Sequence, residues 1–150
     1  MKREVRIAVD RRNSAKASRA LWAGLIRFNR TKACPLRYSR LVISARDRKG
    51  KFAGGVILQS YWKETYVELL WLSEKMRGDG VGSELIREAE RQARRRGSIL
   101  IHLNTYSFQA PRFYEKLGYR RFGTISGSPK GASRHFYVKR LSTPRRSPRG

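Results

Sequence analysis

The sequence predicts an α/β (α+β) domain built on a single mixed, mostly antiparallel sheet of about seven strands with flanking helices. Three observations carry this. Short apolar segments of strand length recur from Val5 to Leu141, and two helical stretches at 3.6-residue spacing interrupt them. The second of these helices, opening at Val81, lies between an apolar strand that begins at Tyr66 and another at Ile99–Leu103. Strand, helix and strand in that order make the two strands parallel, because a crossover returns the chain in the same direction.

Taken in order, Val5, Ile7 and Val9 alternate with Arg6 and Ala8, which predicts a half-buried first strand. Asp10–Asn13 is a polar connector, and Ser14 can cap a helix. Ala17, Ala20, Leu21, Gly24, Leu25 and Phe28 then form one apolar stripe. Pro35 ends that region and biases Cys34 toward extended backbone. Cys34 reads as a small packed residue, since no feature marks an activated thiol. Tyr38–Ala45 is the second strand, Asp47–Lys51 a charged turn with Gly50, and Phe52–Trp62 the third strand. Gly54-Gly55 inside it predicts a bulge or a close backbone approach. Strands two to four form a meander. After the crossover helix, Ile99–Leu103 reads as a buried central strand broken only by His102. Ser107–Leu117 holds a short helix with Pro111 in its first turn and Gly118 at its stop. Tyr119–Ile125 and Arg134–Leu141 are the last strands, and 142–150 is a basic Pro/Arg-rich tail with the composition of a disordered end. Residues 1–141 thus read as one domain.

The chain has 150 residues, enough to bury a core without staples. Its one cysteine excludes an internal disulfide and a single-chain zinc cluster, so no metal is expected. No apolar run approaches the roughly 18 residues of a membrane span, and no secretory signal opens the sequence; both point to a cytoplasmic protein without a membrane partner. Thirty-five Lys and Arg against eleven Asp and Glu give a net charge of +24. Such a charge fits a nucleic-acid partner or merely an arginine-rich surface. The basic residues run along the whole chain instead of forming a block, which favours the second.

The turn Arg77-Gly78-Asp79-Gly80-Val81-Gly82 joins a strand to a helix N-terminus, where exposed N–H groups can hold an anion. It is neither a P-loop nor a dinucleotide fingerprint, because no Gly-Lys-Ser/Thr follows and position 83 is Ser. Arg77-x-x-Gly80-x-Gly82, preceded by Leu70-x-Leu72, resembles the acetyl-CoA motif of the GNAT superfamily of N-acetyltransferases. Ala110-x-x-Phe113-Tyr114-Glu115-Lys116-Leu117-Gly118-Tyr119 resembles that superfamily's later helix motif. The resemblance implies the GNAT-like acyl-CoA N-acyltransferase fold, with strands four and five splayed and the pantetheine arm of acetyl-CoA between them. The main chain of Leu70, Trp71 and Leu72 would pair with that arm. Arg77, Gly78, Asp79, Gly80, Val81, Gly82 and Ser83 would hold the pyrophosphate. Many members carry a cofactor-holding Asn where this chain has Ser107; Ser107, Asn104 and Tyr114 complete the implied cofactor-binding set, with Asn104 or Gln109 as substitutes for the Asn contact.

An amine must lose a proton before it attacks a thioester, the tetrahedral intermediate needs an N–H donor, and the leaving thiolate benefits from an acid. Tyr114 matches the family's acid. Glu68, a carboxylate in an apolar strand and therefore partly buried, is the leading candidate base; a structural Glu68–Arg or Glu68–Lys pair is the competing reading. Glu64 and Glu74 are alternatives and His102 a minor one. Trp22, Tyr38, Tyr61 and Trp62 could line an acceptor cleft or sit in a core. The preferred function is acetyl transfer from acetyl-CoA to a primary amine of a small molecule. Two others compete: acetylation of a macromolecule (a protein N-terminus, lysine or aminoacyl-tRNA) docked on the basic surface, and a non-catalytic acyl-CoA or nucleic-acid binding module. The family resemblance also admits a homodimer paired through an exposed last strand.

Overall fold

The structure, a computed structural model, describes residues 5–12 and 14–142. The chain divides into two compact units, one ending at Leu36 and one beginning at Arg37. In the first unit, α1 spans Ser14–Arg30, and none of its residues is buried. Val5–Val9 is not assigned to a strand among the described residues, contrary to the alternation of its side chains, and all five residues are exposed. Cys34 is likewise exposed, where the sequence suggested a packed position.

The second unit is built on one sheet. Its strands are β1 (Ser39–Arg46), β2 (Phe52–Tyr61), β3 (Glu64–Leu72), β4 (Leu100–Tyr106), β5 (Arg120–Ser126) and β6 (Ser133–Arg140). Their spatial order is β1-β2-β3-β4-β6-β5. Six strands stand among the described residues where the sequence suggested about seven. All neighbours are antiparallel except β3 and β4. The last strand is not an edge, as the sequence had suggested; β6 inserts between β4 and β5. Of the basic tail, only Ser142 falls within the described residues.

Turn chemistry places the first hairpins. Asp47 Oδ1 accepts the Lys49 and Lys51 amides and closes the β1–β2 turn. A Cβ at Gly54 would run into the Trp71 carbonyl, and one at Gly55 into the Ile43 carbonyl, so only glycines let β2 sit this close to both neighbours.

Helix α2 (Val81–Arg95) crosses one face and buries Leu85, Ile86, Ala89 and Ala93 against Val56, Leu58, Val67, Ile101, Leu103 and Tyr137. Each fully buried Leu or Ile contributes about 1.5–3 kcal/mol. Glu90, also on that buried side, is only 5% exposed. Lys139 donates to it at 2.8 Å and Arg94 at 3.4 Å, so its charge is compensated and α2 is tied to β6. A chain of buried hydroxyls, Ser60–Thr65–Ser98 at 2.9 and 2.8 Å, fastens the start of β3 to β2 and to the approach of β4.

Candidate active site

The parallel ladder between β3 and β4 is short. It runs from Glu64↔Leu100 to Val67↔Leu103 and stops, although β3 continues to Leu72 and β4 to Tyr106. The two strands therefore separate partway along, and five residues of β3, Glu68–Leu72, have no β4 partner. A bulge marks the place where pairing ends. Leu58 pairs with Val67 and Ile57 with Leu69, leaving Glu68 as the extra residue. The bulge also resets the faces. Before it, Thr65 and Val67 are buried; after it, Leu70 and Leu72 turn to the core while Leu69 and Trp71 are exposed. Trp71 instead stacks on Phe52, with ring centroids 6.4 Å apart.

Beyond Leu72 the chain makes a 3₁₀ turn, Glu74–Met76, and reaches the glycine turn. Arg77 Nε donates to the Leu72 carbonyl at 3.0 Å, fixing the turn to the end of β3. Gly78 and Gly80 have φ of 90° and 82°, a backbone region that L side chains adopt with strain. A Cβ at either would meet nothing within 4 Å, so the turn borders open space. Gly80 is the N-cap of α2, and no side chain caps the helix. The first amides of α2, at Val81, Gly82 and Ser83, are thus left to an outside acceptor. Asp79 is exposed beside them.

Helix α3 (Pro111–Lys116) completes the site. A Cβ at Gly82 would lie 3.4 Å from the Phe113 ring and 3.6 Å from the Leu72 side chain, so the end of β3, the start of α2 and α3 converge there. Next to Phe113, Tyr114 is 7% exposed, packed against Tyr119 and Tyr137. Burial pushes its pKa up to about 12, so the hydroxyl keeps its proton at neutral pH. Glu115 accepts from the Tyr137 hydroxyl at 2.8 Å and from Arg121 at 3.1 Å, which anchors α3 to β5 and β6.

The candidate base is placed differently from expectation. Glu68 is exposed, not buried, and its Oε2 accepts from Gln59 Nε2 at 2.8 Å and from Arg40 Nε at 3.4 Å. The structural ion pair is therefore present. Ser107 accepts the Ser133 amide at 3.1 Å. Gln109 Oε1 accepts the Tyr106 amide and the Thr105 hydroxyl, and Asn104 donates to the Tyr66 hydroxyl at 2.8 Å. Glu74 lies in the 3₁₀ turn beyond β3. His135 lies in β6, 3.0 Å from the Thr124 hydroxyl.

Sequence reading missed a cleft of about 490 Å³ on the sheet face opposite α2. Gln59, Tyr61, Glu64, Tyr66, His102 and Asn104 line it, with Phe122 and Phe136. Of the four aromatics proposed for a cleft, Tyr61 lines this one; Tyr38 packs on Tyr61 at 5.1 Å with the rings tilted 46°, Trp62 sits in the β2–β3 turn with φ 45°, and Trp22 is exposed on α1. The missing signal was strand register: Tyr66 and His102 are paired residues of β3 and β4, which spacing along the chain does not reveal.

A parallel strand pair that parts above an uncapped, glycine-led helix is the arrangement that the resemblance to N-acetyltransferases implied. The acetyltransferase (GNAT) family model matches residues 12–119, and the chain belongs to that family. It is 42% identical over 98 residues to the blasticidin-S acetyltransferase of Streptomyces morookaense, covering 65% of this chain and 72% of that protein. It is similar to the crystal structure of an acetyltransferase from Bacillus cereus, with a TM-score of 0.82 and 33% identity over 94% of this chain and 100% of that one. A streptothricin acetyltransferase from Bacillus anthracis, solved with acetyl coenzyme A, shares the fold: TM-score 0.62, 24% identity, 69% of this chain and 63% of that one. No described helix is long and apolar enough to cross a membrane.

Proposed function

We propose that this chain transfers the acetyl group of acetyl-CoA to a primary amine of a small molecule by direct attack through a tetrahedral intermediate. The observation that carries the reading is the β3–β4 ladder ending at Val67–Leu103, in line with a glycine turn whose helix amides have no cap. Acetyl-CoA is the second substrate and supplies the activated acyl carbon. The open turn and the separated strands fit it. The amides of 78–83 and the Arg77 guanidinium would take its pyrophosphate, and the side of the Leu70, Trp71 and Leu72 main chain that has no β4 partner its pantetheine arm. One of those strand amides would donate to the developing oxyanion. Tyr114, held protonated by burial, would give its proton to the leaving sulfur.

The small-molecule acceptor is supported by a name: the Streptomyces relative is a blasticidin-S acetyltransferase. Blasticidin S is therefore the first acceptor to try, followed by other small amines, a peptide and charged tRNA. A thiol-release assay with acetyl-CoA should show turnover on a small amine and a thermal shift with acetyl-CoA alone. Turnover on tRNA or peptide only would move the function to a macromolecular acceptor, and neither turnover nor shift would refute the reading.

A further inference from the structure

We infer that the cleft between β2, β3, β4 and β6 is the acceptor site, that it takes a primary amine carried on a flat apolar body, and that His102 receives the amine's proton. This rests on the N-acetyltransferase reading above. With the pyrophosphate at 77–82, just past Leu72, the thioester end of the arm lies toward the closed end of the gap, where Val67 pairs with Leu103. The residues next to that closure, Tyr66, His102 and Asn104, all line the cleft. A volume of about 490 Å³ suits a small molecule. Tyr61, Tyr66, Phe122 and Phe136 give aromatic walls for a flat body. Glu64 adds one negative charge at the rim of a cleft whose lining includes no Lys or Arg, in a chain of net charge +24. That local charge draws an ammonium group.

His102 is better placed than Glu68. Glu68 does not line the cleft, and its Oε2 already serves two donors. His102 packs on the Tyr66 ring at 5.1 Å, and Asn104 holds the Tyr66 hydroxyl at 2.8 Å, so the imidazole rests on a fixed surface. Burial lowers its pKa, and the Glu64 charge opposes part of that shift. The other titratable groups lining the cleft are Tyr61 and Tyr66; the cross-strand partner Val138 is apolar, and the charges bordering the cleft are the Arg134 guanidinium, 5.2 Å over the Phe136 ring, and the Arg40–Glu68 pair on Gln59. The imidazole is then neutral at pH 7, with a lone pair available.

The protons balance. Of the three on the ammonium, one passes to His102 and on to solvent. The nitrogen lone pair then forms the C–N bond, and the C–S bond breaks with its electron pair leaving on sulfur. Tyr114 protonates that sulfur and recovers the second proton lost by nitrogen; the third stays on the amide.

The test uses 2-phenylethylamine as probe, with glucosamine as the polar comparison, over pH from about 5 to 9. Wild type should prefer the aromatic amine about tenfold or more in kcat/KM. At saturating amine, kcat should rise with pH on a limb that His102→Gln and His102→Asn both abolish, with a fall of about 10²–10⁴-fold. Glu68→Gln should keep the limb. The His102 imidazole resonance should also move when 2-phenylethylamine is added without acetyl-CoA. The acetyl-CoA thermal shift should survive in every variant, which checks folding. A limb and rate that persist in both His102 variants, loss of the limb in Glu68→Gln instead, preference for glucosamine, or an undisturbed resonance without turnover of the probe would each overturn the inference. Loss of the acetyl-CoA shift in wild type would refute the parent reading, and the inference with it.

Discussion

The two halves of β3 differ in what they pair with. From Glu64 to Val67 the strand is laddered on both sides, to β2 and to β4, and its inward residues Thr65 and Val67 are 0% and 4% exposed. From Glu68 to Leu72 it is laddered to β2 alone. The first half has its hydrogen bonds satisfied and belongs to the core. The second carries, on its β4 side, backbone groups that no strand pairs and that are open to water or a ligand. The bulge at Glu68 divides the segment paired on both sides from the one proposed to hold the cofactor arm, without breaking the strand.

Substitutions can test that division. The largest effect should come from the proposed acid on α3: Tyr114→Phe should lower kcat about 10²–10⁴-fold while leaving the acetyl-CoA thermal shift in place. Equal kcat would remove Tyr114 as the acid. On the structural side, Leu103→Ala, at the last laddered pair, should cost about 2–5 kcal/mol in denaturant unfolding, because Leu103 is 2% exposed. Gly80→Val should weaken acetyl-CoA binding measurably by calorimetry, since a side chain at φ 82° costs about 1–2 kcal/mol and projects into the space the ligand would use. Glu68→Gln should change stability by no more than about 1 kcal/mol, because the pair with Arg40 is partly solvent-exposed. The smallest effect is a slope. Burial lowers the folded pKa of His102, so the folded state takes up a proton less readily than the unfolded one. Its share of stability is full above about pH 6.5 and falls as pH drops through the folded pKa. His102→Gln should flatten the pH dependence of the unfolding midpoint there.

The strand order around α2 was legible because Ile101 and Leu103, or Leu85, Ile86 and Ala89, repeat at the period of their element. The glycine turn was legible because positive φ leaves few residue choices. Val5–Val9 misled because alternation records only the side chains, whereas a strand needs a neighbour to pair with. Glu68 misled for a related reason: one bulged residue shifts every following side chain to the other face, and Val67-Glu68-Leu69-Leu70 carries no sign of it. The cleft was hidden because Gln59, Tyr66, His102 and Phe136 come from four strands, and only their register gathers them.

Hydrogen exchange of β3 with and without acetyl-CoA tests the central claim most directly. Saturating acetyl-CoA should slow exchange in the segment 68–72 and in the first turn of α2, and leave 64–67 unchanged, because those amides are already paired. Protection spread evenly along β3, or none in 68–72, would contradict a cofactor arm paired to the strand beyond the bulge.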